Sequence, residues 1–125
     1  MSIPKIPEGE YRFCRIMWAH EPVAAAELVK LCQQQLGWKR TTTYTVIKRL
    51  GGRGVLKLED GTVTSLISKE TAEASEIEDL VEKKFGGSLP AFVAAFTKHQ
   101  KLSDKDLDEV QRMIDRIRKG EDGNE

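Results

Sequence analysis

The residues of this chain best suited to binding chemistry lie in one basic stretch, WKRTTTYTVIKRLGGRG, from Trp38 to Gly54. It contains four threonines and five basic residues, and it contains no acid. Threonine hydroxyls are short hydrogen-bonding groups, and Arg and Lys side chains pair with anionic oxygens. Together with free backbone N–H groups at a helix N-terminus, these side chains suit phosphate oxygens and the edges of nucleobases.

The spacing of the apolar residues in this stretch predicts a helix with two different faces. At about 100° per residue, one arc forms the predicted core face: Thr43, Val46, Ile47 and Leu50. The opposite arc is polar, with Thr42 at its margin: Thr41, Tyr44, Thr45, Lys48 and Arg49. We predict Thr41 as the N-cap, or a start one residue to either side. Because threonine is only a modest helix former, the threonine row indicates binding rather than stability.

Charge is distributed unevenly along the chain. The 125 residues carry 20 basic and 20 acidic side chains, and 39% are hydrophobic, which suffices for a core. From Trp38 to Leu58 there are six bases and no acid, whereas the remainder holds 14 bases and 20 acids. A local basic patch on an acidic body suits contact with a polyanion at one face. Charge alone would equally fit an ordinary solvated face.

The elements around this helix follow a recognisable order. Two amphipathic helices are predicted before it, from about Glu10 to His20 and from Val23 to Gly37. After Gly54 the apolar period changes to two, and the pair Asp60-Gly61 between alternating apolar residues predicts a β-hairpin. Three helices followed by a hairpin is the order of a winged helix. In that architecture the third helix enters the major groove of DNA, and the hairpin lies beside the phosphate backbone.

The chain from Lys69 onward reads as three further amphipathic helices, the last two with predicted N-caps at Ser88 and Ser103. Such helices bury their apolar stripes poorly alone but well against a second copy, so we predict a homodimer. The predicted interface residues are apolar: Phe85, Phe92, Val93, Phe96, Val110, Met113, Ile114 and Ile117. The alternative is that these helices fold back on their own wing domain.

These patterns predict a mostly α fold with a small β-hairpin wing. An N-terminal winged-helix DNA-binding domain is expected at residues 1–68, a helical dimerisation region at 69–120 and a disordered tail at 121–125. The expected function is sequence-specific binding of double-stranded DNA by a homodimer, with half-sites about 34 Å or a small multiple apart. The residues predicted to contact DNA are Lys39, Arg40, Thr41, Thr42, Thr45, Lys48 and Arg49.

The sequence also resembles the penicillinase-repressor family of bacterial transcriptional repressors. The resemblance is carried by EYRFCRIMW and WKRTTTYTVIKRLGGRGVL, and by FGGSLPAFVAAF and LSDKDLDEVQRMI near the C-terminus. It covers nearly the whole chain, from about Ile6 to Lys119. It implies a dimeric winged-helix repressor that binds operator DNA, with Thr42, Thr45 and Arg49 facing the DNA.

Three departures from the family pattern bear on regulation. Penicillin-responsive members are inactivated when a sensor pathway cuts an Asn-Phe bond, whereas the matching bond here is Ala95-Phe96. A different cleavage by an unidentified regulatory protease or sensor stays open. Copper-responsive members end in paired C-x-C motifs, and this tail has no cysteine, so no copper cofactor is expected. The wing tip, Glu59-Asp60-Gly61, is acidic and should repel phosphate.

Several function classes find no support in the residues. The two cysteines and two histidines are isolated, and no nucleophile pattern, metal spacing or phosphate-binding glycine loop is present. We therefore expect neither an enzyme nor a bound cofactor or metal. No apolar run reaches membrane-spanning length and no secretory pattern opens the chain, so a cytoplasmic location is expected. The main rival is a winged-helix module that binds another protein rather than specific DNA.

Overall fold

The computed structural model describes residues 3–120. They form the predicted helices and hairpin in the predicted order, with one additional short strand. The elements are α1 (Glu8–His20), β1 (Val23–Ala24), α2 (Ala25–Leu36), α3 (Arg40–Arg53), β2 (Leu56–Glu59), β3 (Thr62–Ser65), α4 (Lys69–Phe85), α5 (Leu89–His99) and α6 (Asp104–Arg118). The predicted fold class, a mostly α chain with a winged helix followed by a helical region, is confirmed. The predicted disordered tail, 121–125, lies outside the described residues.

The chain divides into two compact units, with the boundary inside α4 between Asp79 and Leu80. The N-terminal unit contains a winged helix whose core is built by α1, α2, α3 and the small sheet. The largest fully buried side chains of this core come from every one of those elements: Phe13, Met17, Leu28, Ile47, Leu50, Leu56 and Val63. Burial of such aliphatic and aromatic side chains is the main force that fixes α3 against α1 and α2.

The wing is the hairpin that the Asp-Gly pair predicts. β2 and β3 are antiparallel, with Leu58 opposite Val63 and Glu59 opposite Thr62. Asp60 and Gly61 form the turn with φ angles of 52° and 76°. Positive φ at both central residues matches the right-handed twist of the strands, and Asp and Gly tolerate it better than other residues.

A third strand was not predicted from the sequence. Val23 and Ala24 pair with Val63 and Thr62, so β3 lies between β1 and β2 in the sheet. The sequence predicts a start of the second helix at Val23, whereas α2 begins at Ala25. A strand of two residues is too short to show a period of two, so only the tertiary contact with β3 defines it.

The C-terminal unit is helical, and its helices begin where the sequence predicts. The Ser88 hydroxyl accepts a hydrogen bond from the Ala91 N–H at 3.1 Å, and the Ser103 hydroxyl accepts one from the Asp106 N–H at 3.0 Å. Both serines are therefore N-caps. Neither α5 nor α6 contributes a buried residue.

Candidate nucleic-acid interface

The inner face of α3 is the one that the sequence predicts. Thr43, Val46, Ile47 and Leu50 are buried, and they are the residues that α3 contributes to the interior. Before the helix, the Trp38 ring stacks on Phe13 of α1, with 6.1 Å between ring centroids and an interplanar angle of 4°. These contacts fix the position of the outer face.

The start of α3 differs from the prediction. The helix begins at Arg40, Lys39 occupies the N-cap position, and no side chain caps the helix. The predicted N-cap at Thr41 is therefore wrong, because the Thr43 N–H already donates to the Lys39 carbonyl at 3.2 Å. The threonine hydroxyls are consequently not used as caps. The first N–H groups of α3 lack an intrahelical acceptor, which makes this end of the helix suitable for an anionic oxygen.

All the residues predicted to contact DNA are exposed: Lys39, Arg40, Thr41, Thr42, Thr45, Lys48 and Arg49. By helical geometry, Thr41, Thr45 and Lys48 point farthest from the core face, while Thr42 and Arg49 lie on one flank. The Arg40 guanidinium lies over the Tyr44 ring, 5.4 Å from its centroid. Tyr44, predicted on the polar arc, is instead half-buried against the core. A contact of these residues with DNA stays a prediction.

Arg49 has a partner that the sequence prediction missed. One guanidinium nitrogen, Nη1, donates to the carboxylate of Glu10 in α1. The Glu10 side chain is 7% exposed and that of Arg49 is 48% exposed. The signal was present in the sequence, because Glu10 precedes Phe13, Cys14 and Met17 at helical spacing and thus shares their apolar stripe. An acid on such a stripe needs a partner of opposite charge or a hydrogen-bond donor.

An apolar groove about 640 Å³ in volume lies beside α3 and the wing. Ile47 and Leu56 are buried, whereas Leu58 is 48% exposed and Leu66 is 56% exposed. The residues that line the groove come from α3, β2 and the end of the wing: Tyr44, Ile47, Lys48, Gly51, Leu56, Lys57, Leu58 and Leu66. Exposed leucines next to lysines are able to contact either nucleic acid or a protein surface.

The cysteines lie in the core rather than in this interface. Cys14 and Cys32 are both buried and unbonded to each other. Burial raises the pKa of the Cys14 thiol to about 12. Burial also raises the pKa of Cys32, while a hydrogen bond with Thr43 acts in the opposite direction. Within residues 3–120, no group of three or more His, Cys, Asp or Glu side chains is arranged to hold a metal ion.

A winged helix whose third helix turns threonines and bases to solvent is typical of one class of protein, the DNA-binding transcription regulators. The chain belongs to the penicillinase repressor family, whose family profile matches residues 6–116. This family consists of transcriptional repressors, which places the chain among regulatory proteins. None of the helices described between residues 3 and 120 combines the length and the apolar character needed to cross a membrane.

Individual proteins are similar to this chain over most of their own length. The chain is 21% identical over 118 residues to the penicillinase repressor of Bacillus licheniformis, covering 91% of this chain and 92% of that protein. It is 24% identical to the penicillinase repressor of Staphylococcus aureus, covering 92% and 94%. It is 30% identical over 118 residues to an uncharacterized 16.5 kDa protein in the ptsI 3′ region of Latilactobacillus sakei, covering 88% and 78%.

Proposed function

We propose that this protein is a sequence-specific repressor that binds a palindromic operator as a homodimer. The observation that carries the proposal is the outer face of α3, where threonines and bases are exposed on a helix rigidly packed by its opposite face. In this arrangement α3 enters the major groove, where side chains reach base edges, and the basic residues at its start contact phosphates. We expect it to act in the cytoplasm.

The homodimer is proposed from the apolar surface of the C-terminal unit. The stripe of α6 is exposed along its length: Leu107, Val110, Met113, Ile114 and Ile117. Phe96 of α5 is 52% exposed. The Phe92 ring meets Phe85 edge to face and stacks on Phe96, with centroid distances of 5.8 and 6.4 Å. Exposed apolar area of this extent on amphipathic helices is typical of a surface that a second copy covers.

Regulation by an unidentified protease or sensor is a further part of the proposal. The Ala95-Phe96 bond, which matches the cleaved bond of penicillin-responsive members, lies within α5 with both residues exposed. Cleavage there would cut through the proposed dimer surface and would separate α6 from the DNA-binding unit. Two half-sites could then no longer be bound by one linked pair.

The test of the proposed function is a binding titration against DNA from the protein's own promoter region, with unrelated DNA as competitor. Saturable binding that survives the competitor, with a footprint symmetrical about a centre, would support the proposal. Binding that is absent, or equal for all DNA, would contradict sequence-specific recognition. Salt is varied because several phosphate contacts make affinity fall steeply with ionic strength.

Thr45→Ala is the variant that tests the recognition helix. If the Thr45 hydroxyl reads a base edge, its removal should weaken operator binding by about 1–3 kcal/mol and leave binding to unrelated DNA almost unchanged. Thr97→Ala is the matched control, because the Thr97 hydroxyl donates to the Val93 carbonyl of its own helix at 2.9 Å. Equal operator affinity for Thr45→Ala and the wild type would remove Thr45 from the site.

A protein-binding module is the second proposal, and the exposed leucines of the groove favour it. Leu58 and Leu66 leave an apolar surface beside α3 that phosphate contact does not need. A protein partner held by this surface would bind with little dependence on salt, whereas DNA binding would weaken steeply. The salt series of the titration therefore separates the two functions.

A further inference from the structure

Glu10 is a carboxylate that the fold has removed from water. It lies in the first turn of α1, and the whole residue is only 6% exposed. Among residues 3–120 it is the one charged side chain in the buried class. Its Oε2 accepts the hydrogen bond from Arg49, while Oε1 is buried without a partner in the described part of the chain. A buried carboxylate is costly unless it is paired, so the pair with Arg49 is a constraint on both helices.

Arg49 is only partly used by this pair. A guanidinium carries five N–H donors in a planar fork, and one nitrogen of the fork faces Glu10. Nearly half of the side chain remains exposed on the flank of α3. The remaining donors are thus available to solvent in an orientation that the carboxylate sets, and the positive charge is largely compensated.

We propose that Glu10 is a positioning residue for DNA recognition, and that it makes Arg49 selective by holding its guanidinium against α1. This inference rests on the proposed function of α3 as the recognition helix. A free arginine at this position would pair with any phosphate within its reach, independently of sequence. An Arg49 side chain fixed by Glu10 forms hydrogen bonds to DNA only in the direction in which its remaining donors point. It therefore favours the one position along the DNA at which acceptors lie in that direction.

Glu10→Gln tests this role because it keeps the size of the side chain and removes its charge. Glu8→Gln is the matched control, since Glu8 lies in the same first turn of α1, is exposed and undergoes the same change in charge. Dissociation constants are measured for operator DNA and for unrelated DNA over a series of salt concentrations. The free energy of unfolding of each variant is measured alongside.

For Glu10→Gln we expect several-fold tighter binding to unrelated DNA and a smaller preference for the operator. The slope of log affinity against log salt should become steeper by about 0.9, the value for one additional phosphate contact. Glu8→Gln should show neither change. Identical slopes and preferences for the two variants would overturn the inference, and so would a parallel loss of affinity for both DNAs with an unchanged slope, because that is the result of a purely structural role.

Arg49→Lys decides the question if Glu10→Gln does not fold. Lysine keeps the charge and can still pair with Glu10, but it has no planar fork with a second set of fixed donors. We expect the salt slope of the wild type and a several-fold smaller preference for the operator. An unchanged preference would overturn the inference. The wild type is measured first. If it shows no preference for the operator over unrelated DNA, the proposed function is overturned, and this outcome is distinct from a failure of the inference about Glu10.

Discussion

At the scale of single residues, the polar side chains in the interior of the N-terminal unit are few and each constrains its surroundings. Thr43 is completely buried, and among residues 3–120 its Oγ1 has no partner for an ordinary hydrogen bond; it interacts weakly with the neighbouring Cys32 thiol. Glu10 is paired with Arg49 across two helices. The Glu10–Arg49 pair favours one arrangement of the two helices, because an alternative packing would leave a buried carboxylate without its cation.

Cys14 gives a prediction at this scale. Its pKa of about 12 lies above the ordinary value of 9.0, so the folded chain keeps the proton where the unfolded chain loses it. The contribution of the protonated Cys14 thiol to the stability of the folded chain is therefore complete below pH 9. It is lost as the pH rises from about 9 to about 12. Urea titrations at about pH 7.5 and about pH 10 give the free energy of unfolding at each pH. Its decrease from the lower to the higher pH should be smaller for Cys14→Ala than for the wild type.

Equal losses in the two proteins would show that the thiol does not remain protonated in the folded state. Cys32→Ala is the comparison, because the hydrogen bond with Thr43 counteracts the effect of burial on its pKa. Its influence on the pH dependence should be smaller than that of Cys14.

At the scale of elements, the wing combines a well-formed hairpin with an unfavourable charge. The Asp60-Gly61 turn closes β2 and β3 in regular register, and Glu21 reinforces the far end by accepting hydrogen bonds from the Ser65 N–H and hydroxyl at 2.6 and 2.9 Å. The Lys57 Nζ lies 3.4 Å from the Glu59 Oε1, and this ion pair offsets part of the negative charge of Glu59. If the wing lies beside the DNA backbone, its acidic tip weakens that contact.

Asp60→Asn tests the contribution of the wing. Asparagine adopts positive φ as readily as aspartate, so the turn with its φ of 52° should persist while one negative charge is removed. We expect DNA affinity at low salt to rise a few-fold and the free energy of unfolding to remain within about 0.5 kcal/mol of the wild type. An affinity equal to the wild type at every salt concentration would mean that the wing tip is remote from the phosphates.

At the scale of the whole molecule, the two units differ in how far they bury their apolar side chains. The N-terminal unit has a core of its own, whereas α5 and α6 of the C-terminal unit contain no fully buried residue. Apolar stripes without a partner in the same chain are most simply covered by the same stripes of a second chain. The proposed operator binding depends on this assembly, because one α3 reads only one half-site.

Val110→Asp should therefore dissociate the proposed homodimer and leave the N-terminal unit folded. Val110 is 48% exposed in the single chain and is not part of the buried core, so we expect the charge to act on the proposed interface. Gln111→Asp is the matched control, because Gln111 lies on the polar side of α6, where its side-chain amide donates to Asp115 at 3.1 Å. Sedimentation measurements should show a monomer for the first variant and a dimer for the second.

A dimer of unchanged mass for Val110→Asp would contradict the proposed role of α6. The predicted domain limits, 1–68 and 69–120, stay a prediction, because α4 contributes residues to both compact units.

Local pattern alone determined the order of elements, the buried face of α3, the hairpin turn and the serine caps, since each depends on residues within a few positions of one another. Tertiary structure decided what depends on distant partners. β1 exists because Val23 pairs with Val63, which lies 40 positions further along the chain. In the sequence, Arg49 is one of several basic residues of this stretch. Only the packing of α1 on α3 brings its guanidinium to Glu10. Periodicity shows which side of a helix is buried, whereas the partner of a charge is set by the fold.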